Sequence, residues 1–455
     1  METNFEDFFT KEFLEYLFDT DIKYKGGGGR DKLDPMKYWE LYSSNLIGVS
    51  SKCLNASYEF TSYREKLLLK GREKYPRVIS IPTVQDRIVL CALNKYLQKK
   101  LILYVYQRKP NDYIIDLIRF LKDHEEENIF FFKGDIQGFY DNIDHDVLVN
   151  QLKGKGVDSR AIRLLERAIK TPTLADGESK RNDNKKGVPQ GLAISNVLAS
   201  FYMTTFDEEM EKKNSYYLRY VDDFIVLNDN RRAWNKEITS IITDNRLGLS
   251  LSEDKIKDGD FNEDSFDFLG YVFEKGVVTV RKQSVNRYIE RVARLCTKFK
   301  NDLRSKECWP RHIQSQESLV LYYLEKINLL ISGFKLKNYQ YGWLAYYKGM
   351  TDISLLFRLD KIVRKKLLKN ILGQFENFEL HSFVKTYYDI RERKGARSVI
   401  DLDSCETIDA KKAFLVSQGW LSEDENYADD YIINYFKKCC LKLVRENEKN
   451  IGYFN

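Results

Sequence analysis

Two adjacent aspartates, Asp222 and Asp223, stand between two apolar, β-prone runs, Tyr216-Tyr217-Leu218-Arg219-Tyr220 and Phe224-Ile225-Val226-Leu227. Aromatic and β-branched residues favour half-buried strands, and Asp-Asp tolerates a turn tip, so the stretch reads as strand, tight turn, strand. The hairpin fixes two like charges on a rigid support in an apolar surround. Such a pair repels, and a divalent cation is the usual compensation. Hard oxygen ligands without clustered His or Cys suit Mg²⁺, or Mn²⁺, rather than zinc. Taken alone, Tyr220-Val221-Asp222-Asp223-Phe224 is equally a solvated turn.

A third carboxylate upstream changes the balance. Phe130-Phe131-Phe132-Lys133-Gly134-Asp135 is an aromatic run that predicts a buried strand with Asp135 at its end. A lone Asp there is ordinarily a cap or turn residue. Paired across a sheet with Asp222, it completes a carboxylate site for two cations, which could activate a 3′-hydroxyl and neutralise a leaving pyrophosphate.

With 455 residues the chain has room for two or three domains, and 43% hydrophobic with 31% charged residues is ordinary for a soluble globular protein. No run of eighteen apolar residues predicts a membrane span, and the acidic start Met1-Glu2-Thr3-Asn4-Phe5-Glu6-Asp7 lacks a secretory core. The seven cysteines are scattered, and no C-x-x-C occurs, which points to reduced thiols in a cytoplasm. Charge is uneven: Arg281 to Leu372 holds 20 Lys and Arg against 7 Asp and Glu. That segment is therefore +13, and because the whole chain is +6 the remainder carries −7. A basic belt interleaved with Tyr and Trp suits a phosphate backbone, whereas the same charges singly are solvated helix faces.

In chain order, Gly26 to Gly29 is a flexible loop without the G-K-[ST] of a P-loop. Asp34-Pro35 predicts a helix start, with the helix running toward Ser50. Lys70 to Pro82 is a basic turn entering an alternating strand, able to lay Lys74 and Arg77 on a triphosphate. Thr83-Val84-Gln85-Asp86 resembles a capping box and opens a packing helix. Helices are expected over Val147 to Leu152, Ser159 to Ile169, Ser195 to Met210 and Trp234 to Asn245, and one strand over Phe266 to Phe273. Gly187-Val188-Pro189-Gln190-Gly191 is a rigid turn before the Ser195 helix. Lys255 follows the hairpin at a position where a lysine near metal could act as general acid. The last helix, roughly Asp429 to Arg445, gathers Ile432, Tyr435, Phe436, Cys439 and Leu443 on one face.

These blocks, in this order, resemble the reverse transcriptase family from about Asp34 to Leu368. The residues that carry the resemblance are Arg77-Val78-Ile79-Ser80-Ile81-Pro82 with Gln85-Asp86-Arg87, Asp135-Ile136 with Phe139-Tyr140, Pro189-Gln190-Gly191, Tyr220-Val221-Asp222-Asp223, Lys255, and Leu269-Gly270-Tyr271. Gly342-Trp343-Leu344-Ala345-Tyr346-Tyr347-Lys348 resembles the thumb of group II intron and related bacterial enzymes.

The resemblance implies an α+β right-hand polymerase fold, with fingers, a palm bearing an antiparallel sheet, a helical thumb and an α-helical C-terminal extension. Expected boundaries are an N-terminal helical segment with its Gly-rich loop over 1–50, fingers and palm over 51–280, a basic thumb and connection over 281–372, and the extension over 373–455. Asp135, Asp222 and Asp223 would hold two Mg²⁺ (or Mn²⁺) ions, assisted by the Ile136 carbonyl. Arg77 with Lys74 or Lys70 would hold the triphosphate, and Gln190 would line the nucleotide pocket. Tyr140 would be the steric gate that favours dNTPs over NTPs, Lys255 the general acid, and Leu269, Gly270 and Tyr271 the primer grip.

The implied activity is synthesis of DNA on an RNA template in a bacterial cytoplasm. Ser195-Asn196 stands where group II enzymes and retrons usually carry Ser-Pro, and no Cys/His-rich module follows the thumb. With the helical tail, these departures resemble the antiphage-defence and abortive-infection groups, whose members often work with a non-coding RNA. Residues 373–455 could then serve an oligomer contact or a second protein. Retron or group II intron-type synthesis, untemplated or protein-primed synthesis, an RNA-dependent RNA polymerase and a vestigial RNA-binding scaffold are the competing expectations.

Overall fold

Residues 3–69, 76–105, 108–179, 182–213, 215–310, 312–368, 379–392 and 398–451 are described by a computed structural model. The chain forms two units. One comprises Met1–Arg108 and Asn128–Asp260, the other Lys109–Glu127 and Phe261–Asn455. No helix among the described residues is long and apolar enough to cross a membrane.

In the first unit, the helix Pro35–Tyr42 starts as expected, with the Asp34 carboxylate accepting from the Lys37 amide at 3.0 Å and Pro35 at its first position. It does not run on to Ser50. Ser43–Asn45 forms a short 3₁₀ turn and a second helix covers Leu46–Leu54. Ser and Asn side chains compete for backbone bonds and so favour such a break. Strand β1 (Tyr63–Leu68) pairs antiparallel with β2 (Arg77–Ile81), in register from Arg64↔Ile81 to Leu68↔Arg77. Thr83 caps the buried helix Val84–Lys100, its hydroxyl 3.2 Å from the Asp86 amide.

Strand β3 (Phe130–Asp135) is followed by the helices His145–Gly154 and Ser159–Lys170 and by the short β4 (Thr173–Leu174), which runs parallel beside β1. The single helix expected over Ser195 to Met210 is two, Ser195–Tyr202 and Thr204–Glu211, broken at Met203. Strands β5 (Tyr216–Tyr220), β6 (Asp223–Asn228) and β7 (Lys257–Asp260) then join β3 in an antiparallel sheet of order β5-β6-β3-β7. One face of it, Phe132, Phe224 and Val226, belongs to the buried cluster that also takes Val197, Leu198 and Phe201 from the helices. Gly134 lies opposite Phe224, and the phenyl ring covers it so closely that a Cβ would sit 2.3 Å from the ring.

In the second unit, the expected single strand over Phe266 to Phe273 is a hairpin. Strand β8 (Phe266–Phe268) turns at Leu269-Gly270, both with positive φ (46° and 84°), into β9 (Tyr271–Glu274), which pairs with β10 (Val277–Val280). Gly270 therefore serves a tight I′-like turn, and its carbonyl accepts from the Arg281 amide at 2.9 Å. Two long helices, Lys282–Arg304 and Gln316–Ser332, follow.

The stretch expected as a basic helical thumb and connection also holds a hairpin, β11 (Phe334–Leu336) and β12 (Tyr339–Tyr341), and β13 (Ile400–Asp401) from the tail runs parallel to β11. The extension is thus not purely α-helical. Its last helix, Asp429–Ile451, buries Ile432, Phe436, Cys439 and Leu443 against Phe334 and Phe414, so the apolar face is used inside its own unit. The helix Pro110–Asp123 also belongs here, with the Asn111 amide donating to the Ala345 carbonyl at 3.1 Å.

Candidate active site

The β5–β6 turn is strained. Tyr220 pairs with Asp223, leaving Val221-Asp222 as a two-residue loop, and Val221 has φ 60°. Glycine normally takes this position, and a β-branched residue there costs on the order of 1–3 kcal/mol. Two bonds hold the tip. Arg219 Nη1 donates to the Val221 carbonyl at 2.8 Å, and the Ile136 amide donates to the Asp222 carbonyl at 3.1 Å. Arg219 is itself anchored by Asp207, its Nε 2.7 Å from Oδ1.

The same bonding brings the three aspartates to one end of the sheet. Asp135 is the register partner of Asp223, and the residue after it bonds to Asp222. A strap from Ser250 to Lys255 closes the site from the far side. The Gln137 amide donates to the Ser250 carbonyl (2.8 Å), and the Ser252 amide to the Asp135 carbonyl (2.8 Å). The Asp135 carboxylate accepts from Ser252 Oγ at 3.0 Å and from Lys255 Nζ at 2.6 Å through the same oxygen. Asp223 is turned toward Lys133, whose Nζ is 3.7 Å from its Oδ1.

The electrostatics single out Asp222. Burial, and then the neighbouring Asp135 charge, push its pKa up, while Lys255 and Arg77 partly offset this. Desolvation pulls the Lys255 pKa down, but its hydrogen bond to Asp135 and the Asp135 and Asp222 charges outweigh that and leave it raised. Arg77 is therefore within electrostatic reach of the carboxylates, and its buried Nε finds no hydrogen-bond partner among the described residues.

Tyr140 is buried. Its hydroxyl donates to Asn196 Oδ1 at 2.8 Å, and burial, followed by the Asp222 charge, raises its pKa strongly. Gln190 comes beside β2 through its carbonyl, which accepts from the Ser80 amide at 2.7 Å. The approach is tight: a Cβ on Gly191 would lie 2.7 Å from Ile79 Cγ2.

Asp135, Ile136, Asp222, Asp223, Lys255, Arg77, Tyr140 and Gln190 all lie in the first unit, whereas Leu269, Gly270 and Tyr271 belong to the second. There Leu269 and Tyr271 are fully buried, with the Leu269 carbonyl accepting from Tyr346 Oη at 3.0 Å. Lys74 falls outside the described residues. Ser252, Lys133 and Asn196 were not assigned site roles by sequence reasoning. No motif marks Ser252 or Lys133, and Asn196 stood out only as a departure from Ser-Pro.

Residues 68–273 match the family described as reverse transcriptase (RNA-dependent DNA polymerase). These residues form a reverse transcriptase domain. With it comes the class of activity, RNA-directed DNA polymerisation by nucleotidyl transfer. The chain is similar to the group II intron-encoded protein LtrA of Lactococcus lactis subsp. cremoris, at 22% identity over 99% of this chain and 90% of that protein. It is also similar to protein YkfC of Escherichia coli K12, at 24% identity over 48% of this chain and 68% of that protein. Among solved structures, telomerase from Candida albicans in complex with a fragment of telomeric RNA aligns over 93% of this chain and 69% of its own, at 13% identity and TM-score 0.45.

Among the described residues of the reverse transcriptase domain, no three His, Cys, Asp or Glu side chains gather into a ready-made metal cage. Asp135 and Asp222 nonetheless fit a hard divalent cation. Mg²⁺ typically takes one or two carboxylates plus substrate phosphates rather than an all-protein cage. Asp222 carries the burial and repulsion penalty that a cation would relieve.

Proposed function

We propose that the reverse transcriptase domain copies an RNA template into DNA at Asp135 and Asp222, from dNTPs, with two divalent cations. The observation that supports this best is the junction of Asp135 with the Asp222-Asp223 turn, where the two strands meet in register and Asp222 is held at an electrostatic cost. Mg²⁺ or Mn²⁺ bound there by Asp135, Asp222 and the Ile136 carbonyl would lower the pKa of a primer 3′-hydroxyl and neutralise the leaving pyrophosphate. Asp223 acts one step back, ion-paired with Lys133 beside Asp135.

The chain's own residues supply the rest. Arg77 offers its guanidinium to the triphosphate. Tyr140, fixed by Asn196, presents an aromatic edge that a ribose 2′-hydroxyl would strike. Gln190 lines the pocket beside β2, and Lys255 delivers a proton to the departing pyrophosphate. The hairpin at Leu269-Gly270-Tyr271 meets the primer through its backbone, since its larger side chains are buried. Within this reading, the first unit supplies fingers and palm, and the basic helices of the second unit a thumb.

Extension of an oligo(dT) primer on poly(rA) tests the site. Wild-type protein should extend it with Mg²⁺ and stop on chelation, and D135N and D222N should each lose activity by about 10²-fold or more. Wild-type-like extension by D222N would refute the assignment.

For biological role we propose antiphage defence with an associated non-coding RNA, supported by the departures at Ser195-Asn196 and the tail. Protection against phage in cells that disappears in D222N would uphold it. A branched RNA–DNA product, or a gene lying inside an intron, would favour the retron or intron reading, which the similarity to LtrA along 99% of this chain supports.

A further inference from the structure

The second unit contains a cavity of about 360 Å³ that the polymerase reading does not use. Three helices furnish its cations. Arg291, Arg294 and Lys298 sit at i, i+3 and i+7 along Lys282–Arg304, Lys326 comes from Gln316–Ser332, and Lys442 from Asp429–Ile451. Among the lining residues the single carboxylate is Glu446, and it is committed to Arg291, which reaches its carboxylate at 3.7 Å and its carbonyl at 3.0 Å. Arg294, Lys298, Lys326 and Lys442 therefore face the space without an ion pair to a carboxylate among the residues that line it. The first, second and fourth are exposed, and Lys326 Nζ donates to Tyr322 Oη at 2.5 Å.

Keeping like charges together in a partly desolvated space is costly. Lys326 shows that cost: burial, then the Lys442 and Lys298 charges, pull its pKa down to about 8. The polar atoms left over in the wall are donors too. Trp343 Nε1 and Gln418 Nε2, on side chains each 1% exposed, find no hydrogen-bond partner among the described residues. Buried N–H groups without acceptors are rare and call for one. The rest of the wall is aromatic and apolar, including Tyr288 stacked on Trp343 (4.8 Å between ring centroids) and the partly exposed Trp420.

Such a wall wants an acceptor-rich polyanion attached to a planar ring. The volume lies at the low end of small-molecule pockets, about 300–1,000 Å³. We propose that this cavity binds a nucleoside 5′-phosphate, with the phosphates among Lys298, Lys326 and Lys442 and the base against Trp420. The same chemistry is offered by a free nucleotide and by the 5′-phosphorylated end of a strand. The site is separate from Asp135 and Asp222 and does not depend on their role.

The test is calorimetric titration of the full chain carrying D222A and D223A, in chelator, so that the aspartate site cannot contribute metal-dependent binding. The probes are ATP, inorganic tripolyphosphate and a 5′-phosphorylated dinucleotide with its 5′-hydroxyl twin. ATP or the phosphorylated dinucleotide should saturate one site, the tighter of the two naming the source. Tripolyphosphate and the 5′-hydroxyl dinucleotide should bind at least about tenfold more weakly, and K326M with K442Q should weaken binding by about tenfold or more.

Because removing Lys326 relieves repulsion, the ligand-free K326M protein should melt no lower than the parent. K442Q alone, at an exposed position, repeats the binding test if K326M misfolds. No saturable binding, unchanged affinity in the variants, or tripolyphosphate binding as tightly as ATP would overturn the proposal.

Discussion

Lys255 Nζ lies 2.6 Å from Asp135 Oδ1, so an ammonium caps the carboxylate at the end of β3. The two residues are 120 positions apart and meet because the Ser250 to Lys255 strap bonds along Asp135 to Gln137. In the free protein the pair neutralises part of the site. Were a cation to take Asp135, as proposed, the ammonium would be freed toward the leaving group. That is the placement expected of a proton donor to pyrophosphate.

K255A should therefore lower kcat for dNTP incorporation by about 10²–10⁴-fold, with KM little changed. The alkaline limb of the wild-type pH–rate profile should vanish in K255A and be retained, shifted upward, in K255R. The Lys255 side chain is 49% exposed, so melting should scarcely change. Its raised pKa means the pair's small contribution is complete below the ordinary lysine range and fades only as pH rises through the raised value. Equal losses of kcat and thermal stability in K255A would show a structural role instead.

Tyr140 and Asn196 give a second prediction. In the proposed gate the ring, not the hydroxyl, would do the excluding, so Y140F should keep its preference for dNTPs. Y140A should lose about 10- to 200-fold of it, read as the ratio of kcat/KM for dNTP and NTP. N196A removes the acceptor 2.8 Å from the Tyr140 hydroxyl and should cost about 0.5–1.5 kcal/mol of stability, with a smaller loss of discrimination. Undiminished discrimination in Y140A would remove Tyr140 from the gate.

Asp86 supplies a pH dependence of its own, with neither Asp135 nor Asp222 among the charges that set it. It is 1% exposed, and its carboxylate accepts from Tyr58 Oη (2.7 Å), Thr83 Oγ1 (2.7 Å) and the Thr61 amide (3.3 Å). Burial nevertheless dominates and lifts its pKa from 3.8 to about 6. Between those values the folded state binds more protons than the unfolded one, so this group's contribution falls as pH rises, by about 3 kcal/mol in all, and levels off above pH 6. Urea unfolding of wild type and D86N from pH 4 to 8 should show the difference between them drifting across that window and flat above it. A pH-independent difference would mean that Asp86 is ionised throughout.

Much of the site was legible because its chemistry is written in residue type and order. The Asp-Asp hairpin, the aromatic strand ending in Asp135 and the Thr83 cap each follow from local rules, and the structure contains all three. What escaped depends on distant partners. Nothing near Lys133 announces that its ammonium meets Asp223, and nothing in Ser252 announces Asp135. The Lys337-Asn338 turn of β11–β12 lacks the Asn-Gly signal of a hairpin, so nothing local set these two strands apart from the helical thumb expected around them. The helix Pro110–Asp123 precedes β3 in the chain, yet it packs with the second unit, because Ile114 and Ile118 find their partners around Gly349.

Gly134 allows the link between packing and catalysis to be tested directly. It sits one residue before Asp135 and directly opposite Phe224, whose ring occupies the space of a side chain. A methyl group added there would lie 2.3 Å from the ring. Phe224 cannot simply swing aside, since it is fully buried and packs edge-on against Phe206 at 5.8 Å. The strand must give instead, and with it the register that sets Asp135 against Asp223. G134A should cost about 1–3 kcal/mol of stability. It should also reduce kcat by more than that loss of folded protein explains, because the displaced group is the carboxylate itself. F224L shortens the ring and should recover part of both losses in the G134A background, while being destabilising alone. Such a positive coupling between contacting residues, measured by denaturant unfolding and primer extension on the four proteins of the cycle, would tie the pitch of β3 to the placement of Asp135. Additive effects would mean that the ring and the glycine act independently and that the strand end is positioned by the Ser252 and Lys255 strap alone.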